Sequence, residues 1–262
     1  MSTVEKAKAL REAKKHGVEF IQLWFTDILG QLKSISLPAT ELKAVLDEGM
    51  SFDGSSVEGF ARIYESDLVA MPDPATFQIL PWAQDGIPVA RLICDVMDTD
   101  LRPYEGDPRY VLKRTLALLK KKGYKAYVGP ELEYFYFSDA HPAQVLDAGG
   151  YFDLTPIDVG TDIRDQTAIA LDAMGINMHA SHHEVVTSQH ELDIRFDEAL
   201  KMGTMICILE VGGVLAQAGH QHVAHDDLFH LGRDGLGEVW GYVYEDGVAV
   251  PGVGDGAGGA GV

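Results

Sequence analysis

Between residues 125 and 137 the chain reads KAYVGPELEYFYF, and this segment restricts the fold more than any other. Read as a strand, its side chains alternate between two faces. Glu131 and Glu133 fall on one face, and Leu132, Tyr134 and Tyr136 on the other. The apolar face calls for a core, while the other holds two carboxylates roughly 7 Å apart by strand rise. Like charges at that spacing repel, and they are tolerated best when a cation sits between them. The plainer alternative is an exposed strand face that carries Glu at alternate places.

A second acidic group lies downstream, at His182, His183, Glu184 and, seven residues on, Glu191. In HASHHEVV, His182 and Glu184 share a strand face; in HELDIRF, Glu191, Asp193 and Arg195 share one, with Leu192, Ile194 and Phe196 opposite. If these strands neighbour 126–137 in one antiparallel sheet, Glu131, Glu133, Glu184 and Glu191 converge. Hard oxygen ligands of this kind select magnesium or manganese over zinc. Cys94 and Cys207 are too few for a disulfide framework or a thiolate site.

The remaining elements suggest two units. Ser2–His16 reads as a helix with a Ser2/Glu5 capping box and a stop at Gly17. VEFIQLWFTD and QLKSISLP read as a hairpin turning at Ile28-Leu29-Gly30, and ATELKAVLDEG as a short helix ending at Gly49. TFQILPW and PVARLICDVMD read as further strands, which makes residues 1–103 a strand-rich α+β unit. The second unit, 104–202, opens on a helix with Asp107 as N-cap and Pro108 in its first turn, ending at Gly123. DQTAIALDAMG predicts another helix, capped by Asp165 and stopped at Gly175.

Composition sets limits on partners and compartment. A formal net charge of −19 argues against sequence-independent binding to nucleic acid or anionic lipid. No run of about 18 apolar residues predicts a membrane span, and the charged start is unlike a signal peptide, so a reducing cytoplasm is expected. Residues 203–262 differ from the rest: they hold 15 of the 28 glycines, no lysine and one arginine, Arg233. This tail is expected to contribute little to a core. Metal binding by His220, His222, His225 and His230 is the weaker reading of it. A frameshifted continuation and a genuine extension would look the same.

The loop MSFDGSSVEGF adds turn chemistry at Asp53-Gly54-Ser55-Ser56. Together with ESDLVAMPD, DPRYVLKR, GPELEYFYF and SHHEVVTSQHELDIRF, in this order and spacing, it makes residues 13–202 resemble the N-terminal part of a type I glutamine synthetase. That resemblance implies an α+β protein. A β-grasp domain precedes the first part of a catalytic domain built on an antiparallel sheet with helices, and 203–262 remains an unmatched tail.

The resemblance also implies a chemistry: ATP-dependent ligation of ammonia to the γ-carboxylate of glutamate, through γ-glutamyl phosphate. Two divalent ions, Mg²⁺ or Mn²⁺, are expected per site. Glu133, Glu184 and Glu191 match the ligands of one, and Glu131 matches a ligand of the other, whose His and Glu partners come from farther along the family sequence. Asp53 matches an aspartate offered to ammonium by a neighbouring subunit in a double-ring dodecamer. His179 and His182 fall near the nucleotide, although family members usually carry Glu at the position of His179. Arg62 matches an arginine linked to inhibition by glutamine. Two other readings stand beside this one: a non-catalytic or truncated subunit, and a γ-glutamyl ligase for another amine.

Overall fold

The computed structural model describes residues 3–57, 67–82, 86–140, 143–204, 239–245 and 248–251. Helix α1 (Thr3–Lys15) buries Ala9 and Ala13 and ends before Gly17, whose φ of +61° suits glycine. The capping serine expected for it, Ser2, lies outside the described residues. Strands β1 (Phe20–Thr26) and β2 (Leu32–Pro38) form the predicted hairpin. Asp27 builds its turn by accepting hydrogen bonds from the backbone N–H groups of Leu29 and Gln31, both at 2.9 Å, while Gly30 takes a φ of +82°.

Helix α2 (Leu42–Glu48) follows, then β3 (Met50–Asp53), β4 (Asp67–Pro72), the two-residue β5 (Gln78–Ile79) and β6 (Val89–Met97). The first sheet runs β2-β1-β6-β4-β3, with β5 also on β6. Strands β1 and β6 are parallel and the other pairs antiparallel. TFQILPW thus contributes far less strand than its pattern suggests. The sheet has two buried faces. Ile21, Leu23, Leu92 and Val96 pack toward the helices, with Ala9, Leu42 and Leu46. Trp24, Val89 and Ile93 face the other way and share a core with Leu171, Ile176, Leu192 and Met202 of the second unit.

Helix α3 (Pro108–Lys121) starts as its sequence predicts: the Asp107 carboxylate accepts from Arg109 N–H at 2.9 Å. Its other oxygen accepts from the N–H of Val96 at 3.0 Å, which ties the helix start to β6. Strand β7 (Lys125–Phe135) is followed by the small hairpin β8 (Phe137–Ala140) and β9 (Ala143–Val145). Helix α4 (Thr161–Ala173) begins four residues before the predicted cap at Asp165. Asp158 explains the difference, since it accepts from the N–H of Gly160 at 3.0 Å and the hydroxyl of Thr161 at 2.9 Å and so organises the helix start.

Strands β10 (Met178–His183), β11 (Gln189–Ile194) and β12 (Asp197–Glu198) complete the second unit's own pairing. Residues Val239–Glu245 (β13) and Val248–Pro251 (β14), from the glycine-rich tail, add two strands. The second sheet is ordered β10-β11-β7-β13-β14, with β12 also on β7, and every pairing in it is antiparallel. Among the described residues no helix is long and apolar enough to cross a membrane.

Candidate metal centre

Strand register brings the acidic residues together. On β11, Glu191 lies opposite His182 of β10 and Glu133 of β7, and Asp193 lies opposite Ala180 and Glu131. Directly paired residues share a face, as do residues two apart on one strand. Glu131, Glu133, His182, Glu191 and Asp193 therefore project from one side of the sheet. Glu184 follows the last residue of β10, and its N–H donates to the carbonyl of Gln189 at 2.8 Å.

On this face two groups of candidate ligand atoms lie within 4.8 Å of one another, those of His182, Glu184 and Glu191, and those of Glu131, Glu191 and Asp193, and a third, of Asp147, His183 and His190, lies behind it. His182 stands between carboxylates, with Nδ1 3.4 Å from Glu184 and Nε2 3.5 Å from Glu191. Glu191 belongs to both groups and is 7% exposed. Burial, then hydrogen bonding to Asp193 and Glu184 and their like charge, push its carboxyl up to about 9. A hard divalent cation would turn this repulsion into attraction, and carboxylate oxygens with one imidazole suit Mg²⁺ or Mn²⁺. The donor set thus fits the metal that the sequence resemblance implies.

The other predicted site residues are placed as follows. Glu131 groups with Glu191 and Asp193. Glu133 lies on the same face, but its carboxylate is exposed and accepts from Gln189 Nε2 at 2.6 Å, outside both groups. His179 is the extra residue where the β10–β11 register shifts between Met178 and Ala180, and it is exposed. Asp53 ends β3, at the edge of the first sheet. Its Oδ1 accepts from the N–H and hydroxyl of Ser55 at 2.9 and 2.6 Å, and its Oδ2 from the hydroxyl of Ser56 at 3.0 Å. These bonds hold its carboxyl below the usual range, so it is an anion at neutral pH. Arg62, Arg233 and the four tail histidines lie outside the described residues.

Sequence reasoning placed His182 on one strand face with Glu184 but gave it to the nucleotide rather than to a metal, and it did not name Asp193 as a candidate ligand, although the alternation places Asp193 beside Glu191. It also missed a polar layer on the opposite face, where His183 and His190 are fully buried. His183 Nε2 donates to Asp147 Oδ1 at 2.8 Å, and its Nδ1 donates to the Glu184 carbonyl at 2.7 Å. Arg164 pairs with Asp158 through two hydrogen bonds, at 2.5 and 3.1 Å, and donates to Nδ1 of His190 at 2.7 Å. Burial, with the charges of Arg164 and His183, pushes the His190 imidazole down to about 4. His190 is therefore neutral, which suits its role as acceptor.

Two family models match the chain: the glutamine synthetase β-grasp domain over residues 17–99, and the glutamine synthetase catalytic domain over residues 105–218. The second match runs past Met202, beyond the resemblance over residues 13–202. The glutamine synthetase of Halobacterium salinarum is 42% identical over 228 residues, 85% of this chain and 50% of that protein. That of Thermotoga maritima is 46% identical over 203 residues, 76% of this chain and 46% of that protein. The chain spans about half the length of the curated relatives it matches. A Plasmodium falciparum glutamine synthetase structure superposes with a TM-score of 0.78 at 23% identity, covering 95% of this chain and 55% of that one. A GmaS/ADP complex does so at 0.74, also at 23% identity, covering 81% and 49%. These two likenesses show the fold.

Proposed function

Because the chain belongs to the glutamine synthetase family, we propose that it carries the β-grasp domain and the opening metal-binding face of a centre that joins ammonia to glutamate. In this reading the γ-carboxylate of glutamate attacks the terminal phosphorus of ATP, and ADP leaves. Ammonia then attacks the γ-carbonyl carbon of the γ-glutamyl phosphate, phosphate departs, and a base takes the surplus proton. Divalent ions at the acidic face would neutralise the charge on the transferring phosphoryl group.

The chain's own residues have distinct parts. Glu184, Glu191 and His182 hold one ion, with Glu133 opposite Glu191 as a further ligand once Gln189 gives way. Glu131 and Asp193 begin the second ion's site, whose His and Glu partners in the family come from farther along the sequence. His182 and His179 lie on the strand that would flank the nucleotide. Asp53, an anion on an open sheet edge, is suited to hold ammonium and help remove its proton in a neighbour's site. That role requires a ring-forming homo-oligomer, in which Arg62 would answer to bound glutamine.

The observation that carries the proposal is the shared acidic face on β7, β10 and β11, with ligand atoms within 4.8 Å in two groups that meet at Glu191. A non-catalytic subunit is favoured by one observation, the coverage of only about half of each relative. A chimera separates the readings. Residues 1–202 of this chain replace the corresponding part of the Thermotoga maritima relative, and product is measured with glutamate, ATP, Mg²⁺ and either ammonium or methylamine. Glutamine formation that disappears in Glu191→Gln supports the proposal. Product from methylamine alone would favour another amine, and an assembled, Mn²⁺-binding chimera that makes neither product would contradict it.

A further inference from the structure

The buried group of Asp147, His183, His190, Arg164 and Asp158 lies directly behind the carboxylate face, yet its chemistry is not that of another metal centre. Both ring nitrogens of His183 are engaged, and Nδ1 of His190 accepts from a guanidinium, itself a cation. The group instead reaches the backbone on both sides of one candidate ligand. We propose that Asp147 is a positioning residue for Glu184 and acts through the imidazole of His183. The proposal rests on the reading of Glu184 as a metal ligand.

Glu184 sits where strand pairing ends, since the last β10–β11 partners are His183 and His190. Two peptide groups flank its Cα and set where its side chain points. The peptide before it is held at both ends: the Glu184 N–H donates to the Gln189 carbonyl at 2.8 Å, and the His183 carbonyl accepts from Phe152 N–H at 3.1 Å. The carbonyl of the peptide after it accepts from His183 Nδ1 at 2.7 Å. His183 therefore places Glu184 only if its own ring is fixed.

The segment 146–160 fixes that ring. Asp147 Oδ1 accepts from His183 Nε2 at 2.8 Å, and the side chain of Asp147 is 1% exposed. Asp147 is itself anchored, with Oδ2 accepting from Val159 N–H at 3.0 Å and Oδ1 from Gly149 N–H at 3.3 Å. Gly149 closes the other side, where an added Cβ would come within 2.7 Å of His183 Nε2 and 2.8 Å of its Cδ2. A carboxylate, an imidazole and a carbonyl thus connect a loop on the back of the sheet to a ligand on its front. Outer partners of this kind orient metal ligands in many proteins.

The test is Mn²⁺ titration of the full 262-residue chain, with free ion read by electron paramagnetic resonance and stability read by urea unfolding. Asp147→Ala should weaken binding at the Glu184 site by about tenfold or more, in the range found for lost outer partners. Asp147→Asn keeps an oxygen to accept from His183 but turns its NH₂ toward the Val159 N–H, and should recover part of that loss. Gly149→Ala displaces the ring without removing a polar group and should weaken binding in the same direction. Leu46→Ala, in the core of the first sheet, should lower stability with affinity unchanged, which separates positioning from general loosening. Unchanged affinity in folded Asp147→Ala would overturn the proposal, and should that variant fail to fold, unchanged affinity in Gly149→Ala would do so. If the unmodified chain binds no Mn²⁺ saturably, it is the metal reading itself that falls.

Discussion

At the scale of single residues the centre of the molecule is a carboxylate under strain from its own kind. Glu191 is buried beside Asp193 and Glu184, and burial first, then these neighbours, push its carboxyl up to about 9, so it holds a proton in the metal-free protein. Glu191→Gln should therefore separate two properties that usually fall together. Mn²⁺ affinity should drop by at least about tenfold, while metal-free stability at neutral pH should hold, because a neutral amide replaces a carboxyl that already carries its proton. Urea unfolding with and without Mn²⁺ reads both, and a loss of metal-free stability would contradict the assignment. Behind it, Arg164 and Asp158 form a buried pair, 4% and 2% exposed. Arg164→Met leaves an uncompensated carboxylate and should cost about 3–5 kcal/mol. The Asp158 carboxyl is held below its ordinary value chiefly by Arg164, against the opposing effect of burial. Its contribution is therefore present above the unfolded carboxylate pKa of about 4 and is lost as pH falls through the lower folded value. Asp158→Asn should flatten that part of the acid-unfolding curve.

At the scale of elements, legibility followed locality. The β1–β2 hairpin, the Asp107 cap of α3 and the stop after α2 rest on residues adjacent in sequence, and each is where its sequence predicts. Gly49 shows why such signals are strong: its φ is +75°, and a Cβ there would meet Val69 at 2.5 Å and the Ala70 carbonyl at 3.1 Å. Gly49→Ala should cost more than about 1 kcal/mol, measured by urea unfolding, from both strain and clash. Strand alternation likewise located the face shared by Glu131, Glu133, Glu191 and Asp193. It could not show which carboxylates meet, because that depends on partners distant in sequence. Gln189 takes up Glu133 across 56 residues, and Asp147 reaches His183 across 36. The start of α4 was misplaced for a related reason, since the residue that organises it, Asp158, lies in a loop outside the apolar pattern.

For the whole molecule, the two sheets meet through a shared core and a charged junction. Arg109 donates to Asp95 at 2.9 Å, to Asp73 at 2.7 Å and to the hydroxyl of Thr204 at 2.6 Å, and its side chain is 9% exposed. Arg109→Met would leave Asp73 without its cation, whereas Asp95 keeps Lys113 at 2.6 Å, and should lower stability by about 1–3 kcal/mol. It should leave Mn²⁺ affinity unchanged, because the junction lies away from the acidic face. The 262-residue chain alone, given glutamate, ammonium, ATP and Mg²⁺, is expected to form no glutamine at about one turnover per second. Phosphoryl transfer needs positive charge around the transferred group, and residues 203–262 carry one arginine against eight acidic residues.

The central claim is that β7, β10 and β11 present a divalent-cation site, and titration of the metal-free chain with Mn²⁺ tests it most directly. The unmodified chain should show saturable binding that Mg²⁺ competes away, and the Glu184→Gln/Glu191→Gln double variant should lose it while retaining a cooperative unfolding transition. Equal binding by the two proteins, or no saturable binding by the unmodified chain, would contradict the account.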